Sequence, residues 1–231
     1  MPNWCDNQLS ITGPNSVIDK IEKIVKEESN NAENGLLQFF HPMPNALKDT
    51  VAGPDAKTKK EKLERARLNV EYGASNWYDW RCTNWGTKWE LCEFYGVQRQ
   101  HLNDSLDEST ISFAFSSAWS PPIGAYEQFL ADNENCSLKA YYYEGGCDFM
   151  GVWDDGSDDC YAPSDYNSES DFWNDGIGYD LDEMFNITDS MREYEEELER
   201  DRLNEDVYKY CLLYTSPSPR DSTRSRMTSS A

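Results

Sequence analysis

Apolar and polar residues alternate over positions 4–12 (WCDNQLSIT), with Leu9 and Ile11 on one face and Gln8, Ser10 and Thr12 on the other. A period of two marks a strand buried on one side. Gly13-Pro14-Asn15-Ser16 breaks the strand and offers a helix N-cap. Val17, Ile21, Ile24 and Val25 then fall on one stripe of a helix, which Asn30, Asn31 and Gly35 close. Beyond it, Leu36–Phe40 is an apolar run stopped by Pro42 and Pro44. Residues 55–72 (DAKTKKEKLERARLNVEY) have helical composition but a thin stripe, and Gly73 is their stop. The pattern predicts an inserted, largely solvated helix.

Strands are predicted at 88–97 (KWELCEFYGV) and at 109–119, where Ile111, Phe113 and Phe115 share a face. Ser120-Pro121-Pro122 opens a second helix, because proline is accepted in a first turn whose N–H groups have no partner anyway. Ser120 is the expected cap. Ile123, Tyr126, Phe129 and Leu130 form the inward stripe, 136–143 (CSLKAYYY) returns as a strand, and 148–153 extends or pairs with it. Strand, helix, insertion, strand, strand, helix, strand is the order of an α+β, ferredoxin-like βαββαβ sandwich: an antiparallel sheet with two helices on one face. The predicted domain spans 1–153, with a helical, Trp-rich insertion over about 36–87.

Residues 77–89 (WYDWRCTNWGTKW) hold four of the eight tryptophans. Indole offers the largest apolar side-chain surface and one N–H that needs a partner when buried. Such a cluster either clamps the insertion onto the sheet or forms a stacking platform for a base, sugar or peptide. The candidate binding residues are Trp77, Tyr78, Trp80, Arg81, Asn84, Trp85 and Trp89, together with His41 in the rigid His41-Pro42-Met43-Pro44 turn. His41 has the chemistry of a general base, but no nucleophile or orienting partner stands at a defined spacing from it, and a turn-stabilising role accounts for it.

The net charge of −22 is concentrated. Residues 144–206 carry 22 Asp/Glu against three arginines, whereas residues 1–143 carry 20 acids and 14 bases. Phosphate neutralisation is therefore disfavoured for the later segment. Residues 154–210 are expected to form an acidic extension, partly disordered, with a charged helix near 189–206 whose thin stripe is Met191, Tyr194, Leu198 and Leu203. The basic residues Lys57–Arg67 are the one concentrated positive surface. Asp171 to Asp182 has acids and a glycine at calcium-loop spacing, but Trp173 stands at a ligand position and cannot coordinate. Seven cysteines without a CxxC pair and only two histidines give no zinc or iron–sulfur spacing. No metal or cofactor is expected. The start, Met1-Pro2-Asn3-Trp4-Cys5-Asp6, lacks a signal-peptide pattern and no apolar run approaches about 18 residues, so a cytoplasmic protein with no membrane contact is expected. From Cys211 onward, CLLYTSPSPRD resembles the in-frame translation of a sequencing adapter, so 211–231 is expected to be a non-native tail.

The opening MPNWCDNQLSITGP, the HPMPNAL segment, WYDWRCTNWGTKWE, SFAFSSAWSPPIGAYEQFLAD and YYYEGG, in that order, resemble the YubB-like family of plasmid and phage proteins. The resemblance covers about 1–153 and implies a ferredoxin-like domain in an accessory protein of a mobile genetic element within a bacterial host. It implies no activity.

The favoured reading is a non-catalytic binding module that contacts a protein or nucleic-acid partner through the Trp-rich lobe. Two others stand beside it. One is an enzyme with a pocket between lobe and sheet, using His41, Asp79 and Arg81. The other is an acidic nucleic-acid mimic that inhibits a host enzyme.

Overall fold

The structure is a computed structural model that describes residues 3–27, 35–53, 58–103, 107–166 and 169–215. The chain divides into two units, Met1–Asn186 and Ile187–Ala231. The first contains β1 (Trp4–Pro14), α1 (Asn15–Lys26), α2 (Leu36–Phe40), α3 (Asn45–Lys48), α4 (Lys59–Tyr72), α5 (Trp77–Asn84), β2 (Cys92–Asn103), β3 (Glu108–Ala118), α6 (Ile123–Asp132), β4 (Ser137–Glu144), β5 (Phe149–Asp154), β6 (Ser157–Tyr161), α7 (Glu169–Asn174) and α8 (Gly176–Phe185). The second contains α9 (Ile187–Thr215), within which the expected charged helix falls. Tyr194 and Leu198 of its expected stripe lie outside the described side chains.

The fold is α+β. Six strands pair in the order β2-β3-β1-β4-β5-β6, and every neighbouring pair is antiparallel. The period of two in β1 is what divides its faces: Cys5, Asn7, Leu9 and Ile11 are fully buried, while Gln8, Ser10 and Thr12 are only partly covered. Ile111, Phe113 and Phe115 of β3 continue the buried face. The same core takes Ile18, Ile21 and Val25 from α1, and Ala125, Tyr126 and Phe129 from α6. Each of the larger aliphatic and aromatic side chains contributes about 1.5–3 kcal/mol on burial. The helical stripes are rotated slightly from expectation, since Val17, Ile24, Ile123 and Leu130 sit at the margin of the core. Arg99 of β2 fastens α1 by donating to Asp19 (2.7 Å), Glu22 (2.8 Å) and the Asn15 side-chain oxygen (2.9 Å).

Three expectations need correction. The strand read at 88–97 begins at Cys92 and runs to Asn103, because Glu90 is turned back toward the insertion. Ser120 does not cap α6: Pro122 holds the N-cap position, and the Ser120 hydroxyl donates to the Gly86 carbonyl. The expected four-stranded layer has six strands, and β6, α7 and α8 belong to the first unit although they lie in the stretch read as an acidic, partly disordered extension. An edge strand needs only its backbone for pairing and can keep carboxylates in water, so β6 (SDDCY) has no apolar alternation to read. Asp158 accepts from the Tyr142 hydroxyl at 2.7 Å, tying β6 to β4 across Gly151 of β5. The acid-rich helices are anchored by Phe172 and Leu181, both fully buried. Asp171 and Asp182, the ends of the calcium-like spacing, lie on α7 and α8.

The insertion contains α2 to α5. Thr58 and Glu61 form a reciprocal capping box that starts α4, and Gly73 ends it in the left-handed region at φ +75°. The predicted beginning of this helix at 55–57 lies outside the described residues, as do Asn30 and Asn31, the expected end of α1. Only Leu68 of α4 is buried, and Arg67 is paired with Glu64 and Glu71, which reduces the positive surface expected there. Most of the expected non-native tail (216–231) lies outside the described residues, and its first five residues continue α9. No helix among the described residues is long and apolar enough to cross a membrane.

Candidate functional site

Asn76 starts α5 by accepting from the backbone N–H groups of Tyr78 and Asp79, both at 3.0 Å. The helix then directs Trp80 and Arg81 inward. Trp80 meets Trp85 edge-on (6.0 Å between ring centroids) and meets His41 the same way (4.9 Å). The Trp85 indole N–H donates to the His41 carbonyl at 2.7 Å. His41 Nδ1 donates to the Asn84 carbonyl at 3.3 Å, and the Asn84 amide donates to the Trp80 carbonyl at 2.8 Å. The Arg81 guanidinium stands 4.6 Å from the Trp85 ring centre and 5.3 Å from that of Trp77. Trp80, Arg81 and Trp85 are buried. His41, Trp80, Arg81, Asn84 and Trp85 therefore use one another as partners, and their rings and polar groups fasten the insertion. As contact residues for a ligand, Trp80, Arg81 and Trp85 are set aside by this burial. Burial also lowers the His41 pKa, and its Nδ1 is engaged by the Asn84 carbonyl. Trp77 is half-buried. Tyr78 and Asp79 point outward beside the lobe.

Glu90, absent from the sequence reading, sits against this lobe. Its carboxylate accepts from the backbone N–H groups of Leu37 (2.6 Å) and Gln38 (3.3 Å), which belong to the first turn of α2. Enclosure pushes its pKa up to about 7, against the opposing pull of those N–H groups and of Arg81. An isolated glutamate in a strand-like run carries no signal of such burial.

Trp89 belongs to a different cluster. Trp4 is the first residue of β1 and shares the partly open face with Gln8, Ser10 and Thr12. Trp119 follows β3 with φ +76°, and its N–H donates to the Asn3 carbonyl at 3.0 Å. The Trp4 and Trp89 rings lie 6.0 Å apart. Lys88 Nζ lies 4.1 Å from the centre of the Trp89 ring and 5.4 Å from that of Trp119. Trp4, Trp89 and Trp119 are 43%, 38% and 45% exposed. These values contrast with Trp85, which has no exposed surface at all.

Beside this aromatic row is a pair of carboxylates. Asp6 is two residues along the same face from Trp4, and Glu93 projects from an irregularity in β2, where its φ is +57°. The Ser116 hydroxyl is 3.3 Å from Asp6 and 3.4 Å from Glu93, and its single proton serves one of them at a time. Burial raises the Asp6 pKa, and the charge of Glu93 adds to the rise. Tyr95, an exposed neighbour, has its phenol raised by burial and by both carboxylates. Of the residues the sequence nominated, only Trp89 lies here. Trp4 and Trp119 were missed, although a tryptophan on the polar face of a period-two strand is a legible sign of an outward-facing ring. A separate shallow groove lies at the other end of β1, between Pro14, Asp107, Glu108 and Glu134. It includes none of the nominated residues.

No family model matches the sequence, and no curated protein matches it. A crystal structure of the protein api92 from Yersinia pseudotuberculosis, with family model DUF1281, is similar over 73% of this chain and 97% of that one, at 13% identity and a TM-score of 0.34. A likeness that distant carries no argument about what this chain does.

Proposed function

We propose that the chain is a non-catalytic binding module that recognises its partner through the Trp4–Trp89–Trp119 face, and not through the Trp80–Trp85 interior of the insertion. The observation that carries this reading is the convergence of three half-exposed indoles from separate parts of the chain. Surface aromatics scattered singly need no explanation, whereas a contiguous exposed aromatic patch costs solubility unless it is used. Tryptophan is also the residue most enriched among the contacts that dominate binding energy. Supporting a ferredoxin-like core are the order β1-α1-β2-β3-α6-β4 and the spatial order β2-β3-β1-β4, with β5 and β6 as an added edge. The family resemblance of residues 1–153 supports an accessory role in a plasmid or phage, within the bacterial cytoplasm.

The test is capture from bacterial lysate by wild type and by the Trp4→Ala/Trp89→Ala/Trp119→Ala variant, with circular dichroism to check that both are folded. The proposal expects partners held by wild type to be absent from the variant. Identical capture by the two proteins refutes it.

A further inference from the structure

We infer that the occupant of this face is an arginine-bearing segment of a partner protein, whose guanidinium stacks on Trp4 and forks to Asp6 and Glu93. The inference rests on the reading of the aromatic row as a recognition surface and names the chemistry of what it recognises.

Three observations lead there. First, Asp6 and Glu93 share one hydroxyl proton from Ser116, and neither has a cationic partner among the described residues. Two carboxylates brought within reach of one hydroxyl repel one another until a cation arrives. A guanidinium presents several N–H donors in a plane and can satisfy two carboxylates at once, which an ammonium does less well. Second, this aromatic row already accepts a cation. The Lys88 ammonium lies over Trp89 and Trp119, as expected for positive charge above the negative face of an indole ring. Lys88 leaves Trp4, the ring on the same strand face as Asp6, for an incoming group. Arginine can stack on a ring and fork to carboxylates in one pose. Third, the long-range field selects the same partner. A chain of net charge −22 draws basic proteins in and slows the approach of phosphate polymers.

The test follows the indole N–H signals of ¹⁵N-labelled full-length protein by NMR during titration with tetra-arginine amide, tetra-lysine amide or an eight-nucleotide oligouridylate. Affinity is read at Trp4, so that peptide held elsewhere on the acidic surface does not enter. Tetra-arginine is expected to move Trp4 and Trp89 while leaving Trp85 in place, and to bind several-fold more tightly than tetra-lysine. Asp6→Asn/Glu93→Gln, which preserves side-chain shape, should weaken it roughly tenfold. Lys88→Ala, which frees two ring faces and removes a like charge, should strengthen it. Unmoved indoles, equal affinity for lysine and arginine, indifference to Asp6→Asn/Glu93→Gln, or tighter binding of the oligouridylate would each overturn the inference. If lysate capture depends on the three indoles while tetra-arginine leaves them unmoved, the arginine assignment falls and the recognition surface stands. If capture is also unchanged by removal of the indoles, both fall.

Discussion

Replacing Glu90 by glutamine should remove a specific pH dependence from stability. In the fold the Glu90 carboxyl titrates at about 7, against an ordinary value of 4.5. Between those values the folded protein holds a proton that the unfolded chain has released. Stability from this group is therefore fully present below pH 4.5 and is lost as pH rises through about 7. The gap corresponds to about 3 kcal/mol, and the partial exposure of the residue reduces this to about 2 kcal/mol. Glutamine keeps an acceptor for the α2 N–H groups and does not titrate. Urea unfolding of wild type and Glu90→Gln at about pH 5 and pH 8 isolates the effect, because the other carboxylates are common to both. Wild-type stability relative to the variant should rise by about 2 kcal/mol as pH falls across that interval. Parallel stabilities, or a wild type that gains relative stability as pH rises, would show that the carboxyl is not held away from water as described.

Two further substitutions test the packing. Trp85→Phe deletes the N–H donated to the His41 carbonyl and leaves a void beside Trp80, so chemical denaturation should show a loss of about 3 kcal/mol; a loss within error would mean the ring is not a fastener. A Cβ at Gly151 would overlap both the Tyr142 phenol and the Asp159 backbone carbonyl. Gly151→Ala should therefore cost about 2 kcal/mol or more in urea unfolding, and Tyr142→Ala should relieve only the part due to the phenol, because the Asp159 carbonyl stays in place. A cost within error of zero would contradict the close packing of β5 against β4 and β6.

The central sheet was readable where burial is one-sided. In β1 and β3 the apolar residues Leu9, Ile11, Ile111, Phe113 and Phe115 recur with a period of two because that face meets α1 and α6. Buried Asn7 and Ser117 on the same face, and buried Ala114 and Ser116 on the other, break the alternation. The acidic stretch was not readable in the same way. Its strand, β6, keeps Asp158 and Asp159 outward at an edge, and its helices depend on few anchors, chiefly Phe172 and Leu181. Composition there reports the solvent side and hides the anchored side. The candidate site divides similarly. Residues 77–89 showed that tryptophan mattered, but proximity in sequence joined Trp80 and Trp85, which are interior, to Trp89, which is not. Trp89 meets the ring of Trp4 and shares Lys88 with Trp119. The pairing of β1 with β3, which sets Trp4 opposite Ala118, brings positions 4 and 119 to the same end of the sheet.

The division of the tryptophans into interior fasteners and an outward row can be measured directly by indole N–H hydrogen exchange, followed by NMR in the free protein. Trp85, fully buried and bonded to the His41 carbonyl at 2.7 Å, should exchange only on opening of the insertion, while Trp4, Trp89 and Trp119 should exchange at rates close to those of free indole. A protected Trp89, or a Trp85 that exchanges as fast as Trp4, would contradict the assignment of the recognition face.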